Sequence, residues 1–177
     1  MILIKTIWFA IIFILIVLWR MRMPNKVLES IYKKIYDEDF SSITFSKRMK
    51  MQKAIYLLQE MGISVGNYDF FWYKHGPYCQ ALQEDILEIN DRASLPINFS
   101  DDALVAISRL HDLLNEDVSY EQNNWAECLA SLQYLKSYIF PFNSSDDEIV
   151  KELQIRKPHL SNYALNLYAL QQLKSLI

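Results

Sequence analysis

The residues best suited to nucleophilic chemistry are His75 and Cys79, which lie four positions apart around a Gly-Pro step. A thiol becomes a nucleophile when it loses its proton, and a nearby imidazole can accept that proton. A hydrolase of this kind also needs a group that orients the imidazole and donors for an oxyanion, and the sequence places neither beside them. We therefore interpret Gly76-Pro77-Tyr78 as a rigid turn and expect a non-enzymatic protein. A thiol-dependent hydrolase at Cys79 is the remote alternative.

A second cluster is basic and consists of Lys47, Arg48, Lys50 and Lys53. These cations lie at the predicted start of a helix, where the helix dipole disfavours them by a few tenths of a kcal/mol each when exposed. Ion pairs or simple solvation would offset that cost, and we favour this interpretation. The alternative is a site for phosphate or an acidic partner, and hence a nucleic-acid-binding regulator.

Three acidic residues, Glu84, Asp85 and Glu88, follow the Gly-Pro step on the next predicted helix. A solvated helix face is the ordinary interpretation, because a metal pair needs a further ligand that the sequence does not reveal. The two cysteines, Cys79 and Cys128, lack the spacing of a zinc site. We expect them to be buried thiols in a reducing compartment, with a disulfide as the alternative, and we predict no metal and no cofactor.

If the protein works by binding another protein, the central segment supplies the contacts. The candidate residues combine aromatic, basic and acidic side chains around the Gly-Pro step, and they are Lys50, Lys53, Trp72, Tyr73, His75, Tyr78, Glu84 and Asp85.

The elements that must position these residues are helical with one exception. Met51, Ala54, Ile55, Leu58 and Met61 recur at helical spacing, and we expect this central helix to begin at an N-cap, Ser46, and to stop at Gly62. The aromatic segment 68–73 predicts a short strand covered on both sides. Pro77 is expected at the first position of a helix that runs to about Asn90.

The remaining chain predicts further helices. Their expected starts or ends are marked by Asn25, Ser100 and the Ser145/Glu148 capping box, by Pro141 and Lys157-Pro158, and by Ser161. Apolar faces are expected at Leu28, Ile31, Tyr32 and Ile35, at Leu104, Val105, Ile107, Leu110 and Leu114, and at Trp125, Leu129, Leu132 and Leu135. With 3 Gly and 5 Pro in 177 residues, we predict a mainly α fold. It is a compact bundle of about six helices with one short aromatic β-strand or hairpin, over residues 23–177.

Residues 2–19 are apolar apart from Lys5 and Thr6. As a helix they would measure roughly 27 Å, close to the ~30 Å hydrocarbon core of a bilayer. We therefore predict a single-pass transmembrane anchor in residues 1–22, with Arg20, Arg22 and Lys26 placing the domain on the cytoplasmic side of the inner membrane. The alternatives are a cleaved signal peptide, a buried core helix, or a mistranslated leader before a cytoplasmic protein that begins at Met21 or Met23.

The charge of the chain bears on its partners. Three of its 18 Lys and Arg residues lie in residues 1–22, which contain no acid, so the remaining 15 face 21 Asp and Glu. A domain with a net charge of -6 is a poor general binder of phosphate backbones. Nucleic acid is therefore a possible partner that we do not favour.

The motifs KMQKAIYLLQ and WYKHGPYCQALQEDI, with WAECLASLQYL and KELQIRKPHLSNYALNLYAL nearer the C-terminus, resemble the SocA-like antitoxin (Panacea) domains and their YwgA-like relatives. The resemblance covers roughly Val27 to Ile177, with Cys79 in place of the small polar residue expected after Gly-Pro-Tyr. It implies a mainly helical domain without a known catalytic site that acts by protein–protein contact. The implied partner is a toxin or a phage-defence component.

Overall fold

The structure is a computed structural model that describes residues 25–89, 97–142 and 144–177. In this part of the chain it contains seven α-helices and one two-stranded hairpin. The elements in chain order are α1 (Asn25–Tyr36), α2 (Phe45–Glu60), β1 (Phe71–Tyr73), β2 (Gly76–Tyr78), α3 (Gln80–Leu87), α4 (Asp101–Leu114), α5 (Gln122–Tyr134), α6 (Asp146–Arg156) and α7 (Tyr163–Leu176). The predicted mainly helical class is confirmed, and the aromatic segment forms a hairpin.

Two helices form the centre of the fold, α2 and α5. They pack against each other, and each is buried on all sides over a long run, from Met49 to Leu58 in α2 and from Trp125 to Gln133 in α5. Polar side chains are therefore inside the protein, and burial at such positions requires hydrogen bonds or paired charges. Tyr134 leads from α5 into a π-helical turn, Leu135–Ile139.

The other helices cover this pair. α1 packs against α4, and its predicted apolar face is buried at Leu28, Ile31, Tyr32 and Ile35; α7 packs against α5 and α6. The predicted N-cap Ser100 accepts a hydrogen bond from the backbone N–H of Ala103. The predicted capping box at Ser145 and Glu148 is present in both directions.

The hairpin is antiparallel, with Phe71 opposite Tyr78, Trp72 opposite Pro77 and Tyr73 opposite Gly76. Side chains alternate between the faces of a strand. Phe71, Tyr73 and Tyr78 therefore share the outer face, and Trp72 and Pro77 share the inner face. Gly76 has a φ of +80°, and a Cβ at this position would overlap Ser131 Oγ on α5. The turn thus depends on a residue without a side chain.

Several local predictions were wrong. Thr44, rather than Ser46, precedes α2, and the Ser46 hydroxyl donates instead to Asn123 Oδ1 at 2.8 Å. Pro77 lies in β2, because the chain from Gly76 to Tyr78 pairs with β1 before α3 begins at Gln80. The strand is also open on one side, since Phe71 and Tyr73 are exposed.

Two further corrections concern helix faces and ends. Leu104 and Val105 are exposed, so the buried face of α4 is formed by Ile107, Leu110 and Leu114 without them. Asn162, one residue after the predicted Ser161, caps α7 by accepting from the backbone N–H of Leu165.

The predicted membrane anchor, residues 1–22, lies outside the described residues. Within the described ranges, no helix combines the length and the apolar character needed to cross a bilayer.

Candidate functional site

The outer face of the hairpin is an aromatic cluster, which we call the hairpin face and define as Phe71, Tyr73 and Tyr78; Tyr78 is half-buried between the other two, which are exposed. The ring of Tyr78 lies 5.7 Å from that of Phe71 and 5.4 Å from that of Tyr73, centroid to centroid. Phe71 is 47% exposed and Tyr73 is 58% exposed. Large aromatic side chains that remain this accessible together mark contact surfaces more often than isolated exposed residues do.

A pocket of about 210 Å³ opens between the hairpin and the first half of α2. We call it the α2–hairpin pocket. Its lining combines aromatic walls with several nitrogen donors and includes no Asp or Glu, and it consists of Phe45, Arg48, Met49, Gln52, Lys53, Tyr73, His75, Gly76, Tyr78 and Gln83. Its volume is smaller than the ~300–1,000 Å³ of sites for drug-sized ligands, so it suits one side chain or a very small molecule.

Two of the basic residues of the pocket, Arg48 and Lys53, form no ion pair with a carboxylate among the described residues. Arg48 Nη1 donates to the backbone carbonyls of Ser42 and Ile43 at 2.6 and 2.8 Å. Lys53 is 1% exposed, and its Nζ donates to the carbonyl of Pro77 at 2.7 Å. Burial lowers the pKa of Lys53 to about 7; nearby Glu127 acts in the opposite direction, and the positive charge of Lys157 adds to the lowering.

Gln52 gives this wall its rigidity. Its side-chain amide donates to the backbone carbonyl of Cys79 and accepts from the backbone N–H of the same residue, both at 2.9 Å. These paired bonds hold the residue that follows β2 against α2, so the two elements that bound the pocket are joined to each other directly.

Beneath the hairpin turn lies a buried carboxylate, Glu127 on α5, which is 2% exposed. His75 Nδ1 lies 3.0 Å from one of its oxygens, and Lys157 Nζ and His159 Nε2 lie 3.2 and 3.4 Å from the other. Burial alone would raise the pKa of Glu127. The hydrogen bond from His75 and the charges of Lys157 and His159 outweigh burial, so the pKa lies below its usual value.

Lys157 connects this carboxylate to the hairpin. Its ammonium donates to the backbone carbonyls of Tyr73 and Lys74 and lies 5.1 Å from the ring centroid of Trp72. Trp72 also packs against Tyr134, at 5.7 Å between ring centroids, and lies under the guanidinium of Arg156. The inner face of the hairpin is therefore fixed to α5 and to the chain after α6, while its outer face stays open.

The structure brings four of the eight predicted contact residues together around the pocket: Lys53, Tyr73, His75 and Tyr78. Trp72 is half-buried on the opposite face of the hairpin, and Glu84 is exposed on α3, where its carboxylate accepts from Gln80.

Lys50 and Asp85 are buried and lie outside the pocket. Lys50 pairs with Glu38 and donates to Gln122, and Asp85 accepts from the hydroxyl of Tyr68. Lys50 and Asp85 are thus part of the core. The predicted solvated acidic face is wrong at Asp85.

The basic cluster likewise divides. Lys47 and Lys50 both pair with Glu38, as the favoured interpretation predicted, whereas Arg48 and Lys53 turn to the pocket. Because Lys50 and Lys53 are buried, the four side chains do not form one exposed basic surface.

The cysteines are free thiols, and both are buried. Cys79 is 3% exposed, and among the described residues no hydrogen bond joins it to His75. Burial raises the pKa of Cys128, whose thiol donates to Asn166 Oδ1 at 3.3 Å. In the described ranges, no group of His, Cys, Asp or Glu side chains is arranged to hold a metal ion.

The sequence predictions missed Glu127, which orients His75, and they treated His159 as isolated. The available signal was Glu127, the one acidic residue in the mostly apolar run WAECLASLQYL. An acid in a helix that is expected to be buried needs a buried partner. Only the packing of the hairpin and the Lys157–His159 segment on α5 identifies those partners.

Comparisons with protein-family models, with curated proteins and with solved structures found no match for this chain. The resemblance to SocA-like domains therefore stays a prediction.

Proposed function

We propose that this protein is a non-enzymatic interaction domain that binds another protein through the hairpin face and the adjoining α2–hairpin pocket. The proposal includes tethering to the cytoplasmic side of a membrane by residues 2–19. Because the sequence resembles SocA-like antitoxins, a toxin or a phage-defence component is the first class of partner to test.

The observation that carries the proposal is the two-sided character of the hairpin. Its inner face is anchored by Trp72 and by the contacts of Lys157, whereas its outer face presents the exposed Phe71 and Tyr73 and the half-buried Tyr78 beside a preformed pocket. Large apolar rings that stay in water do not contribute the free energy that their burial would give, and a partner that covers them would supply that burial. Rigid aromatic side chains next to a pocket are typical of the anchor positions of protein interfaces.

Site-specific photocrosslinking tests this proposal. One variant of the full chain carries benzoylphenylalanine at position 73, and a matched variant of the same chain carries it at position 105. Tyr73 and Val105 are 58% and 59% exposed, so the two sites have equal access to solvent and lie on different elements. We expect a discrete adduct in cells from position 73 that position 105 does not give. Mass spectrometry then identifies the partner, and binding is repeated with the two purified proteins.

Two results would contradict the proposal. One is the same set of adducts from both positions, which indicates random encounters. The other is the absence of any adduct from position 73 in cells that express the protein together with the genes that flank its own gene.

A further inference from the structure

We propose that the α2–hairpin pocket binds a carboxylate carried on a small apolar or aromatic group, presented by the partner protein as its C-terminal residue. This inference rests on the proposed function and identifies the chemistry of the contact.

The residues that line the pocket indicate that its ligand is an anion. Arg48 and Lys53 both lie in the wall, no acid is part of the lining, and neither forms an ion pair with a carboxylate in the described part of the chain. Glu127 is near enough to favour the charge of Lys53, but its oxygens are already engaged by His75, Lys157 and His159. This is unusual in a domain with more acidic than basic residues, where Lys47 and Lys50 a few positions away both find Glu38. An anion from outside the chain would supply the missing partner.

Unused donors point the same way. The amino group of Lys53 has three N–H groups when protonated and two when neutral, and in the described ranges only the carbonyl of Pro77 accepts from it. Arg48 uses Nη1 alone, on two backbone carbonyls. The guanidinium therefore keeps donors for a carboxylate, which suits the bidentate geometry of arginine.

The volume and the aromatic walls of the pocket indicate what kind of group carries the carboxylate. Phe45, Tyr73 and Tyr78 make much of the lining aromatic, so a bare anion would leave apolar surface uncovered. A volume of about 210 Å³ admits one side chain together with its carboxylate. A C-terminal hydrophobic residue carries both groups on one residue, and proteins commonly recognise chain ends by their carboxylate.

A titration with a matched pair of probes tests the inference. N-acetylphenylalanine carries the carboxylate, and its carboxamide has the same shape without the charge. Binding to the full chain in mild detergent is followed by ¹H–¹⁵N NMR. We expect shifts confined to the start of α2 and the hairpin, with the carboxamide binding about ten- to a hundredfold more weakly. Acetate, which lacks the apolar group, should also bind more weakly than N-acetylphenylalanine.

Variants locate the site. Arg48→Gln and Lys53→Met should each weaken the acid by about tenfold or more. Lys74→Gln is the matched control, because it removes the same charge from an exposed residue of the hairpin turn that does not line the pocket. If Arg48→Gln or Lys53→Met fails to fold, the ratio of acid to carboxamide affinity on the unaltered protein still decides.

The inference is overturned if the acid does not bind, if acid and carboxamide bind equally, or if Lys74→Gln weakens binding as much as Arg48→Gln. Crosslinking from position 73 shows whether a negative result concerns only the carboxylate site or the proposed protein partner as well. A partner adduct with no acid binding leaves the interaction domain standing without the carboxylate site. Acid binding with no adduct contradicts the protein partner instead.

Discussion

Lys53 is an ionisable lysine buried inside the protein, and this affects how stability depends on pH. It lies on α2 with its ammonium against the carbonyl of Pro77, and burial lowers its pKa to about 7. The charged groups around it are Glu127 on α5, Lys157 after α6, Arg48 on its own helix and the titratable His75 of the hairpin. Glu127 stabilises the charge of Lys53, but it is already engaged by Lys157, His75 and His159.

A substitution at this residue should change how stability depends on pH. Between pH 7 and the ordinary lysine pKa of 10.5, the unfolded chain binds a proton at Lys53 that the folded protein has lost. Stability from this group therefore rises with pH across that window and is lowest below it. Lys53→Met removes the effect. We expect its free energy of unfolding to exceed that of the unaltered protein most at about pH 6 and the difference to shrink towards about pH 10.

Urea denaturation of both proteins across this range measures the difference directly. Titrations shared by the two proteins cancel, so the slope of the difference reports Lys53. Lys74→Met, at an exposed position, serves as the control and should give a flat difference. A flat difference for Lys53→Met would mean that the folded protein does not depress the pKa of Lys53.

At the scale of the element, the hairpin depends on Gly76 for two separate reasons. Its φ of +80° disfavours any residue with a side chain, and its Cα faces Ser131 on α5. Gly62, which ends α2, has nearly the same φ of +81°, and a Cβ added there would meet no atom within 4 Å. The chain thus contains a matched pair of glycines that differ in their surroundings.

We therefore expect Gly62→Ala to lower the free energy of unfolding by about 1–2 kcal/mol from backbone strain alone. Gly76→Ala should lower it by about 1–3 kcal/mol more, because the new methyl group meets Ser131 Oγ. Chemical denaturation measures both.

The double variant Gly76→Ala/Ser131→Ala separates the two terms. The double variant should regain the free energy of unfolding that Gly76→Ala loses by contact with Ser131, and it should still lack the free energy lost to the positive φ. Equal losses for the two single glycine variants would mean that the hairpin does not approach α5 as closely as described.

At the scale of the whole molecule, Glu127 joins parts of the chain that are distant in sequence. It is on a central helix and holds His75 of the hairpin turn and Lys157 and His159 of the segment between α6 and α7. A buried carboxylate with these partners makes the position of the hairpin depend on the C-terminal helices. The hairpin face is therefore presented by the folded core and not by an independent loop.

The proposed tether is also a property of the whole molecule. We expect the full chain to remain in the membrane fraction after washing with alkaline carbonate and to be released by detergent, because an apolar helix of residues 2–19 would be inserted. A chain that begins at Met23 should be found in the supernatant. N-terminal mass mapping of the native protein verifies which start is used, and a carbonate-soluble full chain would contradict the tether.

The sequence alone determined the features that depend on neighbours along the chain. The mainly helical class, the capping box at Ser145, the stop at Gly62 and the buried face of α1 follow from spacing and local hydrogen bonding, and the structure confirms them. Four of the residues that surround the pocket were also named in advance: Tyr73, His75 and Tyr78 because aromatic and polar residues cluster around Gly76-Pro77, and Lys53 because it belongs to the basic start of α2.

Only the tertiary structure decided which polar residues are inside and what they face. Helical spacing gave no reason to bury Lys50, Lys53 or Asp85, and it gave no reason to join Glu127 to His75 and Lys157. These contacts connect residues that are tens of positions apart, so they arise from how helices and hairpin pack and not from any local preference. Burial also depends on how many neighbours cover a helix, and α2 and α5 are covered on every side.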